Sequence, residues 1–246
     1  MSQLIIFIYG LLAYAIGLGG LVFFILFIGA WDFMPLHINS GTPGPMLPAL
    51  LINVGLIVLF GVQHTVTARQ GFKHALTRVI PRAAERSTYV LLSGVLLIVI
   101  CLFWQPIAGT IWHVENEIAR LILIVGYALG WVLAVLSTFL INHFELFGLQ
   151  QVYLNFRNRP EPKPNFTDRW LYKLVRHPLQ LGVLIGIWVT PTMSMTHLCL
   201  ALTMTIYIFI GLHYEEKDLV RFLGKPYEEY RTRVPMVLPL PRPKVE

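Results

Sequence analysis

The residues of this chain that could bind a ligand or catalyse a reaction are ionisable and polar side chains at the ends of long apolar runs. They form five groups: Gln63 and His64; Glu85, Arg86 and Tyr89; Asn142, His143 and Glu145; Arg176 and His177; and His213, Glu215 and Glu216. Polar residues near membrane depth are costly and are often functional. Their shared level therefore favours one polar site, although interfacial anchoring or helix capping is the alternative for each group alone.

The segment Arg176–Gly182 has the most specific local pattern. Pro178 suits the first position of a helix, which leaves the following backbone N–H groups unpaired. That positive helix end, with Arg176 beside it, predicts a site for a carboxylate or a phosphate. Gly182 would let a neighbouring group approach the helix closely. A simple contact between Arg176 and lipid phosphate is the competing interpretation.

The adjacent carboxylates Glu215 and Glu216 follow the last apolar run. A carboxylate there could bind a ribose diol or an amino group through charge-assisted hydrogen bonds. The competing interpretation is a salt bridge to Lys217 or Arg221, or simple solvation.

The elements that carry these groups are predicted to be membrane-spanning helices. Hydrophobic residues make up 56% of the 246-residue chain and charged residues only 13%, about half the usual share of a soluble domain. A helix needs about 20 apolar residues to cross the hydrocarbon core. Four runs meet this length: Leu4–Ala30, Met46–Val66, Thr88–Trp104 and Ile118–Ile141. The longer run Leu179–Leu212 is broken at Pro191 and predicts a hairpin of two shorter helices, which makes six crossings.

The positive charge is confined to alternate connections. Eighteen of the nineteen Lys and Arg residues lie in 68–86, in 143–178 or after residue 214, and Arg120 is the exception. By the positive-inside rule these segments face the cytoplasm, so both termini are expected inside a bacterial inner membrane. Basic loops beside anionic lipid explain the net charge of +6 without nucleic acid as a partner.

The predicted fold is all-α: a polytopic membrane helical bundle of about six transmembrane helices with a short cytoplasmic helical tail. It is treated as one domain, with a four-helix part (1–142), a cytoplasmic connector (143–178) and a hairpin with tail (179–246). The prolines of 159–164 predict an extended connector. The tail is predicted to hold a helix over Glu215–Leu223 that ends at Gly224, and a further turn from Pro226 to about Arg233.

The C-terminal third resembles the integral-membrane methyltransferases, a superfamily that includes isoprenylcysteine carboxyl methyltransferases and phospholipid N-methyltransferases. The resemblance covers about Leu171–Pro239. The shared residues are Arg176-His177-Pro178, Gly182, Glu215-Glu216, Phe222, Gly224, Tyr227, Tyr230 and Val234-Pro235. Gln180 departs from the pattern, since the family usually has Tyr there.

The N-terminal half resembles the bacterial methanethiol S-methyltransferases, which are related to the NnrU-like membrane proteins. Three blocks carry this resemblance: Gln63-His64 with Ala68-Arg69, Pro81-Arg82 with Glu85-Arg86-Ser87-Thr88-Tyr89, and Asn142-His143-Phe144-Glu145-Leu146-Phe147-Gly148-Leu149. The implied reaction converts methanethiol and S-adenosylmethionine into dimethyl sulfide and S-adenosylhomocysteine. Hydrogen sulfide is a second candidate acceptor.

The resemblance implies that the hairpin and the tail enclose S-adenosylmethionine, with no metal. The expected cofactor-binding residues are Arg176, His177, Pro178, Leu181, Gly182, His213, Glu215, Glu216 and Tyr227. The thiol must also lose its proton, because the thiolate is the nucleophile. His64 and His143 are the candidate general bases and Glu145 a possible orienting partner, a hypothesis drawn from the chemistry and not from the resemblance.

Other functions stay open at this stage. The acceptor could be a lipid amine or a prenylated cysteine carboxylate in place of a small thiol. An NADPH-dependent membrane reductase is a different enzyme class with a similar C-terminal layout, but its dinucleotide would need a second phosphate site. An NnrU-like accessory or transport protein is the non-enzyme alternative, and the few charges at mid-membrane depth disfavour transport.

Overall fold

The computed structural model describes residues 2–162 and 170–239. Five helices are long and apolar enough to cross a membrane, all within this described part: α1 (Gln3–Ile28), α2 (Met46–Thr67), α4 (Glu85–Phe103, preceded by a 3-10 turn at Arg82–Ala84), α5 (Glu117–Ile141) and α9 (Met195–Leu223). The shorter helices are α3 (Gln70–Leu76), α6 (His143–Leu146), α7 (Leu149–Phe156), α8 (Pro178–Trp188) and α10 (Lys225–Arg233), with a 3-10 turn at Trp170–Lys173. The predicted all-α membrane bundle is confirmed.

Two compact units make up the chain. The first combines Met1–His113 with Asn142–Lys163 and Thr192–Thr203. The second combines Val114–Ile141 with Pro164–Pro191 and Met204–Glu246. Apolar side chains such as Leu12 (59% exposed), Leu47 (65%) and Leu121 (61%) cover the outside of the helices. Such a surface is suited to contact with lipid, because a helix pairs its own backbone polar groups and lipid offers no hydrogen-bond partners.

In the first unit, α1 and α4 cross at glycines. A Cβ on Gly20 would collide with the carbonyl oxygen of Gly94, and a Cβ on Gly94 would collide with the Cα of Gly17. Small residues let two membrane helices approach to backbone contact, where van der Waals packing stabilises them. Gly10 of α1 similarly receives the side chain of Val152 from α7. Thus α7, within a segment predicted to be a cytoplasmic connector, is a packed helix of this unit.

A two-stranded antiparallel sheet is the non-helical element that the sequence analysis missed. It pairs β1 (Thr110–His113) with β2 (Thr192–Ser194), with a bulge between Thr110 and Trp112. Gly109 precedes β1 with φ of +111°, a conformation that favours glycine. Nearby, the side chain of Asn53 in α2 bonds both the N–H and the C=O of Gln105, each at 2.8 Å.

In the second unit, α8 packs antiparallel to α5. A Cβ on Gly182 would lie 2.5 Å from the Gly130 carbonyl oxygen, and Gly186 faces the indole of Trp131. The 11 residues of α8 span only about 16 Å, so the helix alone is too short to cross the bilayer. An extended segment follows it, and the Pro191 carbonyl accepts a hydrogen bond from the Val114 N–H, just before α5 begins (3.0 Å). At the position of the sixth predicted crossing, the structure therefore has a helix too short to span on its own, followed by extended chain.

The tail also differs from its prediction in one respect. Glu215–Leu223 is not a separate helix, because α9 continues without interruption from Met195 to Leu223. It ends at Gly224, whose φ is +63°, and α10 follows, ending at Arg233 as expected. Some predictions rest on residues outside the described range: the basic residues Lys163, Arg169, Arg242 and Lys244, and Pro164 of the connector.

Candidate active site

The second unit is organised around the buried carboxylate of Glu216, which is 7% exposed. His177 Nε2 and the Tyr227 hydroxyl both donate to Oε1, each at 2.7 Å. Arg176 bonds both carboxylate oxygens, from Nε at 2.9 Å and Nη2 at 3.0 Å. Arg231 Nε lies 3.2 Å from Oε2. We call these five residues the Glu216 cluster; its bidentate arginine and its other donors compensate the desolvation of the buried carboxylate.

Arg176 extends this cluster to the C-terminal segment. Its Nη1 donates to the carbonyl oxygens of Val234 (2.6 Å) and Arg231 (3.2 Å). The backbone N–H groups of Arg176 and His177 donate to the carbonyls of Pro235 (2.9 Å) and Met236 (3.0 Å). The Arg176–His177 corner before α8 is thus bonded directly to the C-terminal segment.

Pro178 is the first residue of α8, as predicted. The backbone N–H groups of Leu179 and Gln180 follow it in the first turn, where no intrahelical carbonyl can reach them. Gln180 Nε2 lies 3.5 Å from Glu215 Oε2. This helix end and the Glu215 carboxylate together present donors and an acceptor side by side.

The two adjacent glutamates have different environments. The side chain of Glu216 is 9% exposed, whereas that of Glu215 is 48% exposed. Glu215 Oε2 lies 4.0 Å from His177 Nδ1, so the open carboxylate borders the Glu216 cluster without belonging to it. Of the two, Glu215 is the one with oxygens accessible to a ligand.

The other predicted cofactor residues lie around this cluster in different settings. Leu181 packs against the buried residues Ile208, Leu212 and Val237. The space beside Gly182 is filled by α5, so its close approach is to a helix. His213 is exposed, and its ring meets the edge of Tyr214 at 5.6 Å between centroids.

Two buried tyrosines hold α10 in place. Tyr227 donates to Glu216, and the Tyr230 hydroxyl donates to the Tyr172 carbonyl (2.6 Å). Burial, and next the hydrogen bond to Glu216, raise the pKa of Tyr227 above its ordinary value. This phenol therefore stays a neutral donor at physiological pH. The sequence analysis missed Arg231, whose side chain pairs with the distant Glu216, and Tyr172. Tyr172 contributes a backbone carbonyl, and a contact to a carbonyl leaves no signal in residue type.

His64 lies in the first unit, near the end of α2. Its Nε2 is 2.6 Å from the Tyr89 hydroxyl, and its Nδ1 is 3.0 Å from Ser93 Oγ. Phe60 stacks on the ring at 5.1 Å between centroids. The guanidinium of Arg86 lies 4.6 Å from the centroid of the Tyr89 ring. Two of the predicted polar groups, on α2 and on α4, thus meet in one hydrogen-bonded arrangement.

His143 also lies in the first unit, where its partner is Tyr14. Its Nε2 is 2.9 Å from the Tyr14 hydroxyl. The ring stacks on Phe147 at 4.6 Å and meets Phe144 edge-on at 5.4 Å. Burial lowers the pKa of His143, which keeps the imidazole neutral. Glu145, the expected orienting partner, accepts from Asn142 Nδ2 at 3.0 Å.

Curated relatives match almost the whole chain. The methanethiol S-methyltransferase of Crocosphaera subtropica is 44% identical over 97% of this chain and 93% of its own length. That of Mycobacterium tuberculosis is 41% identical over 98% of each chain. That of Pseudomonas deceptionensis is 47% identical over 84% of this chain and 79% of its own length.

Neither a family model nor a solved structure matches the sequence. The relatives nevertheless share two-fifths or more of their residues with this chain over most of its length. The resemblance inferred from the separate polar blocks is therefore confirmed over both halves of the protein. The chain belongs to the methanethiol S-methyltransferase family.

Proposed function

We propose that this protein methylates a small thiol, converting methanethiol into dimethyl sulfide, with hydrogen sulfide as a second acceptor. The observation that carries the proposal is the extent of the similarity: relatives with this name are 41% to 44% identical over at least 97% of the chain. The methyl donor of the proposed reaction is S-adenosylmethionine, which supplies an electrophilic methyl group on a sulfonium sulfur.

The donor set beside the Glu216 cluster fits such a molecule. The Glu215 carboxylate is open to a ribose diol or an ammonium group. The first-turn N–H groups of α8 suit the carboxylate of an amino acid. In this proposal Arg176, His177, Glu216 and Tyr227 form the rigid floor, Pro178, Leu181 and Gly182 position the start of α8, and His213 borders the site.

The proposed reaction suits an apolar protein. A thiolate and a sulfonium cation lose their opposite charges on the way to the transition state, so exclusion of water accelerates the step. The thiol must first be deprotonated, for which His64 and His143 are the proposed bases and Glu145 a positioning residue. General-base catalysis of this kind contributes about 10²–10⁴-fold.

The location follows from charge. We propose that the protein lies in the bacterial inner membrane with both termini in the cytoplasm, where the donor is soluble, while the small apolar thiol and sulfide pass through lipid. The basic residues between α2 and α4 and after α9 support this orientation. Reporter fusions that function only in the cytoplasm should be active at both termini.

Purified protein in detergent should be assayed with S-adenosylmethionine against three acceptors: methanethiol, hydrogen sulfide and a lipid extract. We expect dimethyl sulfide in the headspace from methanethiol, and no methylated lipid. Titration with S-adenosylhomocysteine and with NADPH separates the enzyme classes, and only the former should bind. Methylated lipid without volatile sulfide, or binding of NADPH alone, would replace the proposal with the corresponding alternative.

A further inference from the structure

A short turn of the second unit carries large apolar side chains on its surface. Trp170 is 77% exposed and Leu174 is 61% exposed, and Lys173 between them is exposed as well. The other side of the turn is buried, since Tyr172 is 8% and Val175 only 2% exposed. Residues three apart lie above one another in a 3-10 turn, so these two share its inner face. We call residues 170–174 the Trp170 turn; its outer face is apolar and basic.

The backbone of Trp170 makes the exposure of this side chain costly. Its φ is +54°, in the left-handed region where a bulky residue is strained and glycine is not. A residue held in this region raises the energy of the fold unless its surroundings compensate. An indole left in water adds an unfavourable hydration free energy to that strain. A contact that removes the Trp170 ring from water would offset both.

Tyr172 fixes the position of the turn along α5. Its hydroxyl lies 3.4 Å from the carbonyl oxygen of Ser137. Ser137 is close to the end of α5 at Ile141, about 6 Å away along the helix axis. The Trp170 turn is therefore held at the C-terminal end of α5. Where α5 crosses a membrane, this end lies at the level at which the hydrocarbon core meets the lipid headgroups.

The residue types of the outer face match the chemistry of that level. The end of α5 is itself suited to lipid, with Phe139 55% and Ile141 50% exposed in a helix long and apolar enough to span. Tryptophan is favoured at a membrane interface because its ring is apolar and its N–H is polar. Lys173 suits the same level, since a lysine stem can lie along apolar surface while its ammonium group reaches anionic headgroups.

We propose that the Trp170 turn is a membrane anchor, in which Trp170 and Leu174 insert into the leaflet at the C-terminal end of α5 and Lys173 contacts anionic headgroups. The partner of this surface is the lipid bilayer. Contact with lipid removes both apolar side chains from water, which offsets the strained backbone of Trp170. Part of the segment 143–178, which the sequence predicts to be a cytoplasmic connector, thus lies in the membrane interface.

The anchor adjoins the Glu216 cluster in the chain and in space. The Tyr172 carbonyl accepts the hydrogen bond of the Tyr230 hydroxyl, which holds α10, and Arg176 follows the turn after one residue. Lipid contact at the Trp170 turn therefore holds the Arg176–His177 corner at the surface of the bilayer. The anchor would serve any methyl acceptor, so it does not depend on thiol methylation.

Spin labels measure the depth of the turn directly. Both native cysteines, Cys101 and Cys199, are buried, so a label on a new surface cysteine reports its own position. Leu174→Cys would be compared with Glu228→Cys, a control at an exposed position of α10. In vesicles of phosphatidylcholine and phosphatidylglycerol, the label at position 174 should collide several times more often with oxygen, which dissolves in lipid, than with a water-soluble nickel chelate. At position 228 the order should reverse.

Fluorescence tests the tryptophan itself. Lipids brominated near the headgroup end of their acyl chains should quench part of the wild-type emission, and Trp170→Phe should lower the quenched fraction. Trp131→Phe is the control, because Trp131 is 6% exposed and packs against Gly186. Removal of this buried ring should not lower the quenched fraction. Lipids brominated near the chain ends should not distinguish Trp170→Phe from the wild type, because the anchor is shallow.

Three results would overturn the anchor. A label at position 174 that meets the nickel chelate as often as the label at position 228 would place the turn in water. A label at position 174 that meets neither reagent would place the turn against protein. Equal quenching of the wild type and Trp170→Phe by the shallow bromines would leave the indole outside the lipid.

Discussion

Glu215 and Glu216 are neighbours in the chain but face different surroundings. Successive residues of a helix point about 100° apart, so α9 directs one carboxylate into the buried cluster and leaves the other open. The residue types predicted that the Arg176–Pro178 corner and the two glutamates share one site, and the structure places Arg176 and His177 beside both glutamates. They could not show which glutamate is saturated, because that depends on donors from Tyr227 and Arg231, which are distant from Arg176 in sequence.

Substitution should separate the two glutamates. Glu216→Gln should lower the free energy of unfolding by about 3–5 kcal/mol, since it leaves Arg176 buried without its counter-ion. Glu215→Gln should keep the wild-type thermal stability but weaken S-adenosylhomocysteine binding by about tenfold or more, because a hydrogen bond to a charged group contributes roughly 1.5–3 kcal/mol. Thermal unfolding and calorimetric titration in detergent measure both.

The exposed Glu228 of α10 provides the control for this pair. Glu228→Gln should change neither stability nor binding. Equal loss of stability in Glu215→Gln and Glu216→Gln would contradict the division of roles.

His143 makes the stability of the protein depend on pH. Burial lowers its pKa, so the unfolded chain binds a proton more readily than the folded one. The contribution of neutral His143 to the free energy of unfolding is therefore fully present above the ordinary histidine pKa of about 6.5. It declines as the pH falls below that value toward the lowered pKa of the folded protein. His143→Gln should reduce the fall in melting temperature that occurs as the pH is lowered below about 6.5. The exposed His74 is the control. The same dependence of melting temperature on acid pH in His143→Gln and His74→Gln would contradict the prediction.

At the scale of elements, apolar length predicted the long helices well, since a lipid-spanning helix leaves its signature in an uninterrupted run. The strands and α7 were missed for different reasons. Thr192–Ser194 is too short for a pattern, and β1 is recognised by its pairing partner more than by its own residues. The helix α7 has only eight residues, and its packing against Gly10 depends on a distant helix.

The packing of α8 on α5 should be sensitive to one added methyl group. Gly182→Ala places a Cβ 2.5 Å from backbone atoms of Gly130 and Ala134, which cannot move aside as a side chain can. We expect a loss of about 1–3 kcal/mol in unfolding free energy and reduced activity. Gly211→Ala, with no atom within 4 Å of its Cβ, should be neutral or more stable by up to about 1 kcal/mol. Equal melting temperatures for the two variants would show that the helices are not in backbone contact.

At the scale of the whole molecule, the apolar runs and the break at Pro191 predicted six crossings, whereas five helices of the described residues are long enough to span a membrane. The sixth predicted helix corresponds to the short α8, and the extended chain after it pairs with the start of α5 through the Pro191 carbonyl and the Val114 N–H. The length of the apolar run could not reveal this arrangement, because a short helix followed by extended chain gives the same interrupted apolar run as a hairpin of two helices. The family could be inferred from the sequence alone, because its characteristic polar blocks are spread over both halves of the chain.

The most direct measurement of the proposed activity follows the methyl group itself. Purified protein would be incubated with methanethiol and S-adenosylmethionine carrying a trideuterated methyl group, and the headspace analysed by mass spectrometry. We predict dimethyl sulfide with one labelled methyl group, formed in proportion to S-adenosylhomocysteine. Headspace without labelled dimethyl sulfide, or label recovered only in lipid, would contradict thiol methylation by this protein.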